Sequence, residues 1–195
     1  VLPLHDDIRI RRVPVVTPAL IAANVAVFVV QLALPRWGIT LEHWYYLLGA
    51  RPWELTHRAD VPPFGWLPWW ATLFTSLFVH GGWLHLLFNM LYLWIFGSRV
   101  EDVMTRARFV AFYVVCGMLA TAAQVLVAPH SDVPLIGASG AVAGVLGAYL
   151  VLFPRARVLT VVPLIVVFPV FEVPAWIFLA LWFALQAMGG ARSFG

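Results

Sequence analysis

The sequence predicts an all-α protein, a polytopic bundle of transmembrane helices with a long structured first loop. Three observations carry this. Of 195 residues, 63% are hydrophobic and only 11% charged, against about 25% charged in ordinary soluble domains. The apolar residues come in runs of helical rather than strand length, several near the 20 residues needed to cross about 30 Å of hydrocarbon. All twelve basic residues are Arg, clustered between those runs. The balance of +3 therefore concerns orientation in a bilayer, not nucleic acid. A single cysteine, Cys116, excludes an intrachain disulfide and the paired-cysteine metal patterns.

The first span is Thr17 to Leu34, bracketed by Pro18 and Pro35. It starts too late and runs too long for a cleaved leader. From Pro35 to Pro68, Trp, Pro, Arg and Glu interleave, the composition of a loop at headgroup level that caps the bundle. The apolar stretch Trp66 to Phe96 is too long for one span and divides at Gly81-Gly82. Its second part, Gly82 to Gly97, measures about 24 Å as helix, less than the hydrocarbon thickness, so water or thinned lipid reaches its end. Ala107 to Ala128 and Val133 to Phe153 are the third and fourth spans. Pro163, Pro169 and Pro174 break the remaining apolar run around Glu172. A re-entrant or interfacial piece is expected there, followed by a fifth span from Pro174 to about Met188.

Assigning alternate loops to alternate sides places Arg9, Arg11, Arg12, Arg99, Arg106, Arg108, Arg155 and Arg157 together, opposite Arg36, Arg51, Arg58 and Arg192. The richer side is inside, so the N-terminus is cytoplasmic and the second and fourth helices begin at the outer face.

The fourth span opens Gly137-Ala138-Ser139-Gly140-Ala141-Val142-Ala143-Gly144. Small residues at spacing four, such as Gly140 and Gly144, are the packing face of membrane helices. Equally, glycines beside Ser139 leave room for a substrate backbone, and a first-turn serine has unpaired backbone N–H groups beside it to receive an oxyanion. His85 and Asn89, four apart near the outer end of the second helix, share one face. Counted from the outer helix starts, His85 and Ser139 lie one to two turns deep, about 5–10 Å. A serine and two side-chain donors at one level is a layout for acyl transfer.

Three stretches, His80-Gly81-Gly82-Trp83-Leu84-His85-Leu86-Leu87-Phe88-Asn89-Met90, Gly97-Ser98-Arg99-Val100-Glu101-Asp102 and Gly137-Ala138-Ser139-Gly140, closely resemble a rhomboid intramembrane serine protease. The resemblance covers the chain from Pro3 to Gly190 as a single domain. It implies Ser139 as nucleophile, His85, Asn89 and the Ser139 N–H as oxyanion donors, and His80 in support, while Gly137 and Gly140 keep the two readings above, substrate approach or packing. The substrates it implies are transmembrane segments of other proteins, with scissile carbonyls freed where small or helix-breaking residues unwind them. The implied place is a bacterial inner membrane, with the site opening outward.

The family takes its general base from a histidine on a sixth helix, and no histidine follows His130 here. The expectation is therefore a chain truncated before that helix, inactive as it stands, from a parent protease. The alternatives are an inactive relative that binds transmembrane helices without cutting them, and a small transporter built around Glu172. No cofactor is implied. Zinc is not expected, because His80 and His85 are five apart rather than four and lack a Cys or carboxylate companion. His5, His43, His57 and His130 fall in tails and loops, where solvated roles are the default. Trp66, Trp69, Trp70 and Tyr92 fit an aromatic belt or core.

Overall fold

The computed structural model describes residues 2–61, 67–161 and 169–192, with the backbone alone from 185 onward. In chain order the elements are strand β1 (Leu2–Asp6), helices α1 (Val16–Ala33), α2 (Leu41–Leu48), α3 (Pro52–His57), α4 (Thr72–Thr75), α5 (Trp83–Tyr92), α6 (Ser98–Val103), α7 (Arg106–Val127) and α8 (Ser139–Leu152), strands β2 (Arg157–Val161) and β3 (Val170–Pro174), and helix α9 (Ala175–Arg192).

Helix α1, with its closing turn to Trp37, and α7 are long and apolar enough to span a membrane, with mean hydropathies of 2.0 and 2.1. Their flanks present bare hydrocarbon: Val29, Leu119 and Leu126 are 57%, 63% and 82% exposed. Apolar side chains standing out along a helix in this way face lipid, not water. The protein is an integral membrane protein built as a helical bundle.

Four boundaries differ from the sequence reading. The second span does not stop at Gly97: α5 runs through a wide π turn, Leu93–Gly97, into α6. A Cβ at Gly97 would stand 2.9 Å from a terminal methyl of Leu93 and 3.3 Å from the Thr17 hydroxyl, so glycine lets this turn pack closely on α1. The apolar part still ends at Gly97, and the polar residues Ser98, Arg99, Glu101 and Asp102 carry the helix out of the hydrocarbon. The fourth span is also shorter than Val133 to Phe153. Residues 133–138 are a loop and α8 has 14 residues, about 21 Å of helix. Pro134 and the positive φ of Gly137, +113°, hold that loop out of helical geometry.

The third difference is a three-stranded antiparallel sheet, ordered β1-β2-β3, in a chain read as all helix. In β2 Val158 and Thr160 are buried while Arg157 is exposed and Leu159 half-buried, the period-two pattern of a half-covered strand. Its hairpin partner β3 holds Glu172 on the surface, 3.5 Å from Arg157, both largely exposed. Glu172 is thus a strand residue with a salt-bridge partner, not a carboxylate inside a span, and the transporter reading loses its one residue. Pro163 and Trp66 lie outside the described residues. Finally, α9 continues past Met188 to Arg192.

The sheet lies at the arginine-rich end and is tied to the bundle by Asp6. This buried carboxylate pairs with Arg99 at 2.6 Å and accepts from the Tyr149 hydroxyl at 2.7 Å. Beside it, Glu101 accepts the backbone N–H groups of Val15, Val16 and Thr17 at 2.7–2.8 Å. It does for the start of α1 what a capping side chain normally does. Asp102 likewise accepts from the N–H groups of Arg11 and Arg12. Between these ties and the opposite end, Phe96, Tyr149, Phe178 and Tyr92 stack in the core.

Candidate active site

Ser139 is the first residue of α8, half-buried. Helix geometry leaves the N–H groups of that first turn without intrahelical acceptors, pointing out of the helix end. The turn before it is set by Gly137, whose N–H donates to the Ser76 carbonyl at 2.9 Å. A side chain on Gly137 has no space: its Cβ would stand 2.6 Å from His85 Nε2 and 2.7 Å from Cε1. The imidazole of α5 therefore lies directly against the backbone two residues ahead of Ser139.

The other face of the His85 ring looks at Gly81, whose N–H approaches Nδ1 at 3.4 Å. With Nδ1 accepting, a neutral ring carries its proton on Nε2, the nitrogen turned toward Gly137. Asn89 sits one turn along the same face, 6% exposed. Its Nδ2 donates to the His85 carbonyl at 3.0 Å, which fixes the amide while leaving a second N–H available. His80 is fully buried, with its ring edge-on to His85 at 5.0 Å between centroids. The His80 carbonyl accepts from Gln31 at 2.8 Å, so this loop is anchored to α1.

Gly140 faces elsewhere. It packs against Ala120 of α7, as Gly144 packs against Cys116 and Gly117 against Leu77. In Gly140 the small residue serves helix contact, the first of the two readings its spacing allowed. Ser139, Gly137, Gly140, Thr121 and Gln124 border a cavity of about 530 Å³ between α7, α8 and residues 131–137. His85 and Asn89 do not line it. Ser139 thus stands at the boundary between this cavity and the His85 side of the Gly137 turn.

Sequence reasoning missed how the first loop holds this turn. Ala50 and Leu135 form a β-bridge with N–H···O distances of 3.0 and 2.8 Å, and the Trp53 N–H donates to the Ser131 carbonyl. Arg51, 5% exposed, pairs with Glu54 at 2.8 Å and Asp132 at 3.2 Å. A loop of mixed composition was visible in the sequence, but a single backbone bridge between distant segments has no local signal. Among the described residues no group of three or more His, Cys, Asp or Glu is placed to hold a metal ion.

The fold and site define a polytopic membrane protein with a serine at a helix start and an imidazole against the turn that precedes it. Residues 68–193 match the model of the rhomboid domain, and the chain belongs to the rhomboid family. It is 40% identical over 82 residues to the rhomboid protease GluP of Bacillus subtilis (strain 168), a stretch covering 42% of this chain and 15% of that protein. It is 35% identical over 82 residues to the putative rhomboid protease YdcA of the same organism, covering 42% and 40%. To rhomboid protein 1, mitochondrial, of Saccharomyces cerevisiae it is 35% identical over 126 residues, covering 62% and 34%. The matched stretches thus span less than half of each of these relatives.

Proposed function

We propose that this chain carries the nucleophile and oxyanion donors of an intramembrane serine endopeptidase acting on transmembrane segments of other membrane proteins. The observation that supports this best is His85 Nε2 against Gly137, two residues before Ser139 at the start of α8. Ser139 Oγ attacks a peptide carbonyl, and the carbonyl oxygen takes up negative charge. His85 Nε2–H, the free Asn89 N–H and the Ser139 backbone N–H receive it, each donor contributing about 2.7–4 kcal/mol to the transition state. The amine leaves with a proton, the acyl group stays on Ser139, and water hydrolyses the ester.

The proton leaving Ser139 needs an acceptor. The family resemblance assigns that role to a histidine on a further, C-terminal helix, and His85 is already used as a donor to the oxygen. Water enters from the side where α5 and α8 begin, opposite the arginine-rich end, so the site opens outward with the N-terminus inside. A bacterial inner membrane is the setting this reading takes.

The test is fluorophosphonate labelling of the full-length protein in membranes. Labelling that disappears in Ser139→Ala supports the protease. A folded protein that takes no label is instead a relative that binds helices without cutting them.

A further inference from the structure

His57 and His130 come from separate loops, yet their ring centroids lie 6.2 Å apart. Two imidazoles sharing one ion through metal–nitrogen bonds of about 2.0–2.1 Å place their ring centres about 5.2 Å apart at a tetrahedral angle and about 6.4 Å apart when trans, so a tetrahedral ion is held once the exposed His130 ring swings inward by about 1 Å. The His57 ring is held on both sides of this requirement. It stacks on Trp53 at 4.1 Å with planes 13° apart, and its Nδ1 lies 2.9 Å from the Trp53 carbonyl oxygen. A carbonyl only accepts, so Nδ1 carries the proton and Nε2 presents a lone pair. A metal-ligating histidine is typically arranged this way, with its other nitrogen donating to a carbonyl that fixes tautomer and orientation. Both residues are exposed, so an ion can reach them and water can complete the coordination.

The geometry points to a binding site for a divalent transition-metal ion, Zn²⁺ by its ligand chemistry, held by His57 Nε2 and the ring of His130 where the first loop meets residues 129–136. Two neutral nitrogens suit Zn²⁺, Cu²⁺ or Ni²⁺ and not Mg²⁺ or Ca²⁺, which require oxygen. Asp132, exposed on the same turn and bound to Arg51, adds negative potential, while Arg58 next to His57 opposes it. The site joins two segments already linked by the Thr56 hydroxyl on the Pro129 carbonyl at 3.0 Å and by the Ala50–Leu135 bridge. A bound ion therefore fastens the loop to the segment that ends at Ser139. This does not depend on the protease reading.

Calorimetric titration of Zn²⁺ into the protein in detergent, free of any polyhistidine tag, tests the site. One ion per chain is expected, with affinity at least tenfold weaker in His57→Ala and in His130→Ala, no heat from Mg²⁺, and no change in His5→Ala or His43→Ala. Zn²⁺ also raises the unfolding midpoint of the unsubstituted protein and not of the two variants. Binding that is absent, or unchanged in either variant, overturns the proposal. Should the alanine variants fail to fold, Cu²⁺ spectra of the unsubstituted protein decide: two equatorial imidazole nitrogens support the site, and one or none overturns it.

Discussion

The ring of His85 occupies the space where a side chain on Gly137 would begin, with Nε2 2.6 Å from that Cβ position. Gly137 is also at φ +113°, a region that an L residue enters at a cost of order 1–3 kcal/mol. Gly137→Ala therefore meets both strain and the imidazole. The expected result is a loss of stability in detergent of about 1–3 kcal/mol, with serine-probe labelling lost. A variant as stable and as reactive as the parent removes the close approach on which the site rests.

His85→Ala separates catalysis from folding. The ring is half-buried and its recorded polar contact is the long one from the Gly81 N–H, so little stability is at stake. Removing one oxyanion donor typically lowers kcat about 10²–10³-fold. The measurement is the cleavage rate of a transmembrane reporter by the full-length protein, read beside its thermal unfolding. A rate within threefold of the parent excludes His85 as a donor.

Much of this fold was legible in hydropathy alone. The helices at 16–33 and 106–127 follow their apolar runs within a residue or two, because a span must satisfy every backbone group internally and its length is set by the bilayer. What was not legible depends on contacts between distant segments. Nothing local says that Leu2–Asp6 pairs with Arg157–Val161, since the N-terminal strand becomes a strand only beside its partner. The chain from Val133 to Ala138 is apolar enough for helix, and Pro134 and Gly137 keep it out of one while the Leu135 bridge to Ala50 fixes where the loop lies. At the site, the His85–Asn89 spacing and the glycines around Ser139 marked the residues, but not that Gly140 turns to α7 while Gly137 turns to His85. That distinction is a matter of helix rotation, invisible in a run where all neighbours are small.

Glu101 gives the arginine-rich end a pH dependence. Its burial alone pushes the carboxyl up, but the N–H donors of Val16, Thr17 and Val15, with the Thr17 hydroxyl, outweigh it and hold the group below its ordinary value of 4.5. A group with a lowered folded-state value contributes stability that is complete above its unfolded value and is lost as pH falls through the folded one. The protein should therefore lose stability as pH drops below about 4.5. Glu101→Gln should be less stable at neutral pH, by about 1.5–3 kcal/mol, because its amide turns a donor toward one of the backbone N–H groups, and should lose less on acidification, because the amide does not titrate. Unfolding midpoints from pH 7 to 3.5 check both signs, and parallel curves for the two proteins contradict the assignment.

Asp6 should matter more than its place near the chain start suggests. Its carboxylate is 1% exposed and stands between Arg99 and the Tyr149 hydroxyl. Truncation by Asp6→Ala strands a guanidinium in a poorly solvated place, a loss of about 3–5 kcal/mol. Tyr149→Phe removes one charge-assisted hydrogen bond, about 1.5–3 kcal/mol. Because both act through Asp6, the double variant should cost less than the sum of the two. Additive losses in a double-mutant cycle rule out the shared network.

Gly144 tests whether small residues in α8 serve packing. A methyl placed there runs into Cys116, and one on Gly140 into Ala120, so each glycine-to-alanine change forces α7 and α8 apart. Overpacking of this kind costs about 1–3 kcal/mol. The Gly144→Ala loss should be partly recovered by Cys116→Gly, which returns the volume on the facing helix, whereas the same cysteine change should not recover Gly140→Ala, one turn nearer Ser139. Gly140→Ala should in addition depress serine-probe labelling, since moving the first turn of α8 shifts its N–H groups relative to His85. Recovery of both variants by Cys116→Gly, or of neither, means that the helices do not meet in this register.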